Sequence, residues 1–346
     1  MRAARDIRST VIAAALALAC AGAWCVPALA WGGVGHTFIS RAGAMALPAA
    51  LPAFVRAPAA VDEIAALGPE LDRSRDAGAT HDHDLDPGHY VDIGDDGKIG
   101  GTVDLTALPP TREAYDTALR AAGTDEYRMG YLPYALIDGW QQVAKDFAIW
   151  RIDDAGAARA PSADDRAWFA SDRALREILT VRDIGVWSHY VGDASQPLHV
   201  SVHFNGWGSY PNPNGYSNAR TVHADFETRF VRERATLDAV RSHMRPLATS
   251  TAPIAAQIGT YLENSASHVV PLYELEKTGG FATGSPAAVD FVDARLADGA
   301  AELRDLIVEA WYASATLKVG YPHGITPADV SAGLAVPTRA DVDSSE

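Results

Sequence analysis

Apolar residues recur at intervals of three and four along several long stretches of this chain, which is the period of an amphipathic helix. Residues 132–149 carry this spacing, and residues 289–312 repeat it with Leu296, Leu303 and Ile307 on one face. Alternating patterns typical of strands are short and scarce. The pattern therefore predicts an all-α fold, a single large helical domain with long functional loops.

A further helix is predicted over residues 172–190, with Ser171 as its amino-terminal cap. Its expected buried face carries four apolar residues: Leu175, Ile178, Leu179 and Val186. Two more amphipathic stretches follow at residues 226–247 and 252–276.

Two long stretches interrupt the helical pattern. Residues 68–111 are rich in Asp, Gly and Pro, and residues 204–220 are turn-forming throughout. Loops of this length inside a compact domain are usually either functional or disordered. From residue 325 the apolar stripe fades, which predicts a mobile tail over residues 325–346.

The first thirty residues differ from the rest. Three arginines precede an apolar stretch, and the segment closes on Ala28-Leu29-Ala30, the small-x-small pattern of a signal-peptide cleavage site. We predict an exported protein, periplasmic or extracellular, whose mature domain spans residues 31–324; a lipid-attached Cys20 is the competing interpretation. No transmembrane segment is expected, since no internal apolar run reaches the roughly 18 residues that a spanning helix needs.

The net charge and the positions of the cysteines limit the function classes and the metal ligands that this chain can have. A formal net charge of −15 argues against a protein that binds nucleic acid without cleaving it, because such proteins usually carry a basic patch. It is compatible with a nuclease whose bound cations meet the phosphate. Both Cys20 and Cys25 precede residue 31, so a metal site in the mature chain must use His and carboxylates. No stable protein partner is evident.

The run HYVGDASQPLH, residues 189–199, is the strongest candidate for metal ligands. His189 and Asp193 are four apart, so they project from one face of a helix close enough to share an ion. Pro197 cannot lie in a regular helix interior, so the helix must end before it. His199 then lies on a chain that has turned, which aims it at a second, neighbouring site.

Three other segments offer donors of the same kind. His223 and Glu227 in HADFE are again four positions apart. The segment over residues 68–111, called the acidic loop below, contributes Asp72 and His89. The alternative in each case is an ordinary solvated polar face.

The predicted mature amino terminus, Trp31-Gly-Gly-Val-Gly-His36, is the remaining segment. A free α-amine has a pKa near ~7.7–8 and can coordinate a metal once it is deprotonated. The donors of all four segments together amount to about nine groups, too many for one ion.

In their order along the chain, these residues resemble the zinc-dependent phospholipase C and single-strand-specific zinc nuclease superfamily. That family shows an amino-terminal Trp, a His, an Asp, a further His, the run His-x-x-x-Asp-x-x-x-x-x-His, and a final His-x-x-x-Glu or His-x-x-x-Asp. The resemblance covers most of the mature chain and implies one helical domain around three Zn2+ ions.

The resemblance also implies which residues bind each ion. The first zinc is assigned Asp72, His89, His189 and Asp193. The second is assigned the amine and carbonyl of Trp31 together with His36 and Asp193. The third is assigned His199, His223 and Glu227. Asp72 is in addition the expected catalytic residue that orients or deprotonates the attacking water, with Asp76 as the alternative ligand.

Two substrate classes remain open. WGGVGH and the HYVD segment resemble the nuclease branch, which implies that Tyr90 and Asp92 bind a base, whereas Glu227 as the last ligand is typical of the phospholipase branch. Trp207 and Tyr210 lie in the turn-forming segment over residues 204–220, where they can stack on bases or enclose a choline head group. The leading prediction is an exported phosphodiester hydrolase acting on single-stranded nucleic acid. The alternatives are a phospholipase C acting on phosphatidylcholine-like lipids and a non-catalytic metal-binding protein.

Overall fold

The computed structural model describes residues 31–75, 77–322 and 324–343, so the predicted export segment and Asp76 lie outside the described residues. The predicted all-α class is confirmed: the described chain is a single helical domain with one short β-hairpin. None of the helices in these ranges is both long and apolar enough to cross a membrane.

The helices and strands follow in chain order. The helices are α1 Gly32–Met45, α2 Ala53–Arg56, α3 Pro58–Leu67, α4 Ala79–Leu85, α5 Arg112–Ala121, α6 Glu126–Met129, α7 Leu132–Arg159, α8 Ala163–Ser195, α9 Val222–Ala224, α10 Val231–Arg234, α11 Leu237–His243, α12 Ile254–Ala266, α13 Val269–Lys277, α14 Gly280–Thr283, α15 Pro286–Ala313, α16 Pro327–Ser331 and α17 Arg339–Val342. Strands β1 Lys98–Ile99 and β2 Val103–Asp104 pair antiparallel.

Three long helices organise the core. Helices α7 and α8 pack along each other over most of their length, and α15 lies across both of them and against α1. The apolar residues predicted on α15, Leu296, Leu303 and Ile307, are all buried. Helix α1 also contacts α8, so the first turns of α1 and the last turns of α8 meet inside the domain.

Helix α8 is longer than the sequence pattern predicts. It begins after Ser162, whose hydroxyl accepts a hydrogen bond from the backbone N–H of Asp165 at 2.9 Å, so Ser162 is the cap and Ser171 lies in the helix interior. It ends at Ser195, just before Pro197, as predicted.

The predicted apolar face of α8 is wrong in its first half, where Leu175 and Ile178 are exposed. Polar groups face α7 there instead, such as Arg176, which donates to Asp146 of α7 at 2.9 Å. The large buried apolar residues of the helix are Phe169 in its first half and Val181, Ile184, Trp187 and Val191 in its second half.

Close packing of α7 on α8 requires glycine at position 139. A Cβ atom there would overlap the indole ring of Trp187, whose Nε1 donates to the carbonyl of Leu136 at 3.1 Å. We expect Gly139→Ala to lower the free energy of unfolding by about 2 kcal/mol despite the better helix propensity of Ala, because overpacking a core costs more than that propensity gains. Urea denaturation measures this, with Gly33→Ala as the control, since a Cβ at Gly33 meets only an ordinary contact. Equal stability of the two variants would contradict the account.

The acidic loop is largely folded into short elements. It contains 3-10 turns at Leu71–Ser74 and Asp86–His89, helix α4 and the β-hairpin. The chain after residue 324 also has a defined place, since Val319 and Ile325 form an antiparallel bridge and Val330 of α16 is buried. The packing of the domain therefore extends beyond the predicted boundary at residue 324.

Candidate metal centre

The last two turns of α8 bring the central pair of predicted ligands into the protein interior. His189 and Asp193 are fully buried, and Nε2 of His189 lies 3.4 Å from Oδ2 of Asp193. Nδ1 of His189 lies 2.8 Å from the carbonyl oxygen of Gly68. A carbonyl only accepts hydrogen bonds, so Nδ1 carries the proton and the lone pair of Nε2 points toward Asp193.

His36 of α1 completes the first group of donors. Its ring stacks on that of His189 with centroids 3.9 Å apart, and its Nε2 lies 3.4 Å from Oδ1 of Asp193. Both ring nitrogens of His36 are buried and have no hydrogen-bond partner. Burying an imidazole without a hydrogen-bond partner costs free energy unless another group binds its nitrogens. A bound cation would therefore explain why the nitrogens of His36 have no partner in the protein.

Asp193 lies at the centre of four imidazoles. Besides His36 and His189, it approaches His89 at 3.1 Å and His199 at 3.7 Å. Burial alone would raise the pKa of Asp193, but the neighbouring imidazoles, His189 and His199 foremost, hold it well below its usual range. Burial lowers the pKa of His189 well below its usual value, and His36 adds to that effect. An ionised Asp193 beside a neutral His189 is the protonation state that metal binding requires.

The two 3-10 turns of the acidic loop supply the second group, which shares His189. Nδ1 of His89 lies 3.0 Å from Nε2 of His189, and Oδ1 of Asp72 lies 3.8 Å from the same nitrogen. The Asp72 carboxylate is held from its other side by Arg75, whose Nε is 3.1 Å from Oδ1.

His199, His223 and Glu227 form the third group. Nε2 of His223 lies 2.7 Å from Oε2 of Glu227, and Nε2 of His199 lies 3.6 Å from the same oxygen. Glu227 lies in a π-helical segment, Asp225–Phe230, a geometry that is frequent at functional sites. Burial lowers the pKa of His223 to about 4 and raises that of Glu227 to about 7.

Backbone carbonyls fix the imidazoles of the third group. Nδ1 of His199 lies 2.7 Å from the carbonyl oxygen of His89, and Nδ1 of His223 lies 2.8 Å from that of Phe204. Each ring therefore directs its Nε2 toward Glu227, as metal-binding histidines do when a second hydrogen bond orients them. The side-chain amide of Gln196 donates to Nε2 of His223 at 3.1 Å and to Oε2 of Glu227 at 3.0 Å, which requires lone pairs on both atoms.

The structure thus assembles donors of the right chemistry for metal ions. In each of the three groups the ligand atoms lie within 4.8 Å of one another. The groups are His36, His189 and Asp193; Asp72, His89 and His189; and His199, His223 and Glu227. Their imidazoles and carboxylates could hold metal ions, and several of these buried atoms have no hydrogen-bond partner.

Trp31 lies beside these groups as a fully buried anchor. Its indole Nε1 donates to Oγ of Ser195 at 2.9 Å, and its ring packs on Phe226 with centroids 5.3 Å apart. The coordination predicted for its α-amine requires cleavage after Ala30, a residue outside the described part of the chain. Metal coordination by the Trp31 amine stays a prediction.

A cleft of about 340 Å³ opens beside the third group. His199 and His223 line it, so donor groups face the space that a substrate would enter. The residues that complete the wall are Arg75, Asp86, Tyr90, Asp92, Arg128, Leu198 and Phe204. Tyr90 and Asp92 therefore line the cleft, and their contact with a base stays a prediction.

Two other predicted contact residues are not part of the cleft wall. Trp207 is buried and stacks on His203 with ring centroids 3.7 Å apart, and Tyr210 meets the edge of the same His203 ring. The loop folds back on itself, since Nε1 of Trp207 donates to the carbonyl of Pro211 at 2.9 Å. Contact of Trp207 and Tyr210 with a substrate therefore stays a prediction, and Phe204 is the aromatic of this loop that lines the cleft.

Several residues of the site were missed from the sequence. Gln196 is buried and lies between predicted ligands of the HYVGDASQPLH run. Its position in that run is the sequence signal that could have identified it. Asp86 and Arg128 carry no motif. Asp86 shares the 3-10 turn of His89, whereas Arg128 reaches the cleft only through the folding of distant segments.

No family model matches the chain. The chain is similar to a probable serine protease from Bradyrhizobium tropiciagri, with 26% identity over 268 residues, which is 69% of this chain. The match covers 32% of that protein, so the chain spans about a third of its length.

Proposed function

We propose that this chain is a zinc-dependent hydrolase of phosphodiester bonds and that its substrate is single-stranded nucleic acid. The observation that carries the proposal is the set of three adjoining buried donor groups, the third of which faces a cleft. His199 links them, since its Nδ1 lies 3.7 Å from Oδ1 of Asp193 and its Nε2 faces Glu227.

Zinc suits a donor set of imidazoles and carboxylates without thiolates. One ion would be held by Asp72, His89, His189 and Asp193, a second by Trp31, His36 and Asp193, and a third by His199, His223 and Glu227. When bound, such ions neutralise charge on phosphoryl oxygens and lower the pKa of water toward neutrality.

The chain's own residues supply the remaining functions. Asp72 is fixed by Arg75 and can accept a proton from an attacking water. Arg75 also lines the cleft and contributes positive charge beside the phosphate. Asp193 would compensate the charge that bound ions bring into the protein interior, where an uncompensated charge would be costly.

The cleft favours nucleic acid over a choline head group. Two arginines, Arg75 and Arg128, line it, and cations attract a polyanion but repel a quaternary ammonium ion. Tyr90 and Phe204 offer ring faces for bases. Burial raises the pKa of Asp92 to about 7, so near neutral pH part of its population is protonated and can donate a hydrogen bond to a base as well as accept one.

Phe204 provides a direct test of base stacking. We expect Phe204→Ala to weaken binding of a single-stranded oligonucleotide about 10-fold, because stacking on an aromatic ring contributes about 1–3 kcal/mol per base. Tyr312→Ala is the control, since Tyr312 is similarly exposed but lies at the end of α15, away from the cleft wall. Fluorescence anisotropy measures both dissociation constants, and an unchanged constant for Phe204→Ala would rule out the stacking role.

Phospholipase C activity is the second candidate, favoured by Glu227 as the final donor and by carboxylates beside aromatic rings in the cleft. Serine protease activity, suggested by the name of the similar protein, has less support. In the described residues, the hydrogen bonds between serine and histidine side chains join exposed sequence neighbours, Ser242 with His243 and Ser267 with His268. Neither pair has the arrangement of a catalytic triad, in which distant residues meet.

The proposal is tested by assaying the purified, zinc-loaded protein on single-stranded DNA, phosphatidylcholine vesicles and casein, each with and without a chelator. We expect cleavage of DNA that the chelator abolishes and added zinc restores. Chelator-sensitive hydrolysis of the vesicles alone would replace the nuclease with the phospholipase. Cleavage of casein that a serine-directed inhibitor blocks, with DNA intact, would overturn the phosphodiesterase.

A further inference from the structure

Arg128 brings a second guanidinium group to the wall of the cleft. It lies in α6, a short helix whose cap Asp125 accepts a hydrogen bond from the Arg128 backbone N–H at 2.9 Å. The helix is bound to the cleft-lining segment on both sides of Arg128. The hydroxyl of Tyr90 donates to the carbonyl of Tyr127 at 3.0 Å, and the backbone N–H of Asp92 donates to the carbonyl of Met129 at 2.7 Å. The backbone of Arg128 is therefore fixed relative to the residues expected to hold a base.

The side chain of Arg128 is available for a ligand. It is 72% exposed, and the carboxylate that pairs with it, that of Asp125, lies 3.9 Å from Nε, beyond hydrogen-bond distance. Within the described part of the chain its guanidinium makes no hydrogen bond. Arg75 differs, because its Nε lies 3.1 Å from Asp72 at the metal-binding end of the cleft.

Arg128 offers positive charge in an acidic protein. The chain carries a formal net charge of −15, and the cleft places two guanidinium groups beside the carboxylates of Asp86 and Asp92. A guanidinium matches the geometry of a phosphate and binds it through charge-assisted hydrogen bonds. A cleft of about 340 Å³ has the size of a small-molecule site, enough for about one nucleoside, so the next phosphate of a polymer must lie at its edge.

We propose that Arg128 binds the phosphate next to the one that is cleaved, so that the enzyme prefers substrates with at least two consecutive phosphates. The proposal rests on the phosphodiesterase function proposed above and names a specificity-determining residue of that site. Arg75 serves the phosphate that reacts, Tyr90 and Phe204 hold the base between the two phosphates, and Arg128 holds the second phosphate. A single-phosphate substrate leaves Arg128 without a partner.

The test compares two substrates, a thymidine dinucleotide with one phosphodiester and a thymidine trinucleotide with two. We expect Arg128→Gln to lower kcat/KM for the trinucleotide about 10-fold, because an exposed charge-assisted hydrogen bond is lost, and to change that of the dinucleotide less than about twofold. Arg128→Lys should keep part of the preference for the trinucleotide, since lysine retains the positive charge but lacks the forked, planar geometry of a guanidinium. The slope of log affinity against log salt for the trinucleotide should become shallower by about 0.7 in Arg128→Gln.

Arg241→Gln is a matched control. Arg241 is an exposed arginine of α11 whose NH1 lies 3.7 Å from the carboxylate of Asp238, three residues before it, as Asp125 is before Arg128. It does not line the cleft. Both substrates should be cleaved by this variant as by the unaltered protein.

Each outcome distinguishes the two proposals. Equal losses on both substrates, or no loss on either, would overturn the role of Arg128 while leaving the phosphodiesterase intact. If the unaltered protein cleaves neither substrate with zinc present, the phosphodiesterase fails, and equilibrium binding of the same two oligonucleotides then decides on Arg128. Weaker binding of the trinucleotide alone in Arg128→Gln supports the second phosphate site, and any other binding result overturns it.

Discussion

Replacing Asp193 by Asn is expected to abolish phosphodiester hydrolysis and to remove metal from the two proposed zinc sites that share this carboxylate. Asp193 is fully buried and lies within 3.7 Å of His36, His89, His189 and His199. The amide keeps the size of the carboxylate but removes the negative charge that two ions would share. Charge stabilisation by bound ions contributes several kcal/mol to such reactions, so we expect a loss in kcat of about 10³-fold or more.

The control for this variant is Asp146→Asn. Asp146 is equally buried, but it lies on α7 and pairs with Arg176, away from the donor groups. Kinetic assays and elemental analysis of both variants, with circular dichroism to confirm folding, separate the loss of the site from a loss of structure. An Asp193→Asn protein that keeps its zinc and its turnover would contradict the central role of this carboxylate.

Replacing Asp153 by Asn is expected to stabilise the protein at alkaline pH. Asp153 lies in the interface of α7 with α8, is 1% exposed, and neither of its carboxylate oxygens has a hydrogen-bond partner. Burial, followed by repulsion from Asp172, raises its pKa to about 8, and the attraction of Arg176 and Arg173 does not compensate.

The sign of this effect follows from proton linkage. Because the folded state holds the proton of Asp153 more tightly than the unfolded chain does, its contribution to stability is fully present below about pH 4 and is lost as the pH rises toward about 8. Asn cannot ionise and does not lose this contribution. We therefore expect Asp153→Asn to exceed the unaltered protein in free energy of unfolding by on the order of 3 kcal/mol at pH 8.5, with little difference near pH 4.

Urea denaturation across this pH range measures the difference, with Asp154→Asn as the neighbouring control. Asp154 is exposed and pairs with Arg173 at 2.7 Å, so its loss should change stability by less than about 1 kcal/mol at any pH. Parallel pH profiles for Asp153→Asn and the unaltered protein would show that Asp153 is not held protonated in the interface.

The parts of the fold and of the site that could be predicted from the sequence depend on the spacing of residues close together in the chain. His189 with Asp193, and His223 with Glu227, are one helical turn apart, so their proximity follows from helix geometry alone. The end of α8 before Pro197 follows from the missing N–H of proline. The structure also brings His36, Asp72, His89 and His199 to these pairs, as the resemblance implies.

Other features depend on where distant segments meet, and the sequence does not contain that information locally. The burial of Trp207 follows from the folding of its loop onto His203. The exposure of Leu175 and Ile178 follows from polar pairing between α7 and α8, which periodicity alone does not reveal. The carbonyl groups that orient the imidazoles, those of Gly68, His89 and Phe204, carry no side-chain signature at all.

The most direct test of the account is the zinc content per chain of the folded protein that begins at Trp31, measured by elemental analysis after dialysis against metal-free buffer. The three donor groups predict about three zinc ions per chain, and Glu227→Gln, which alters the third group alone, should lower that number by one. A folded protein that retains less than one zinc ion per chain, or a Glu227→Gln variant with undiminished zinc content, would contradict it.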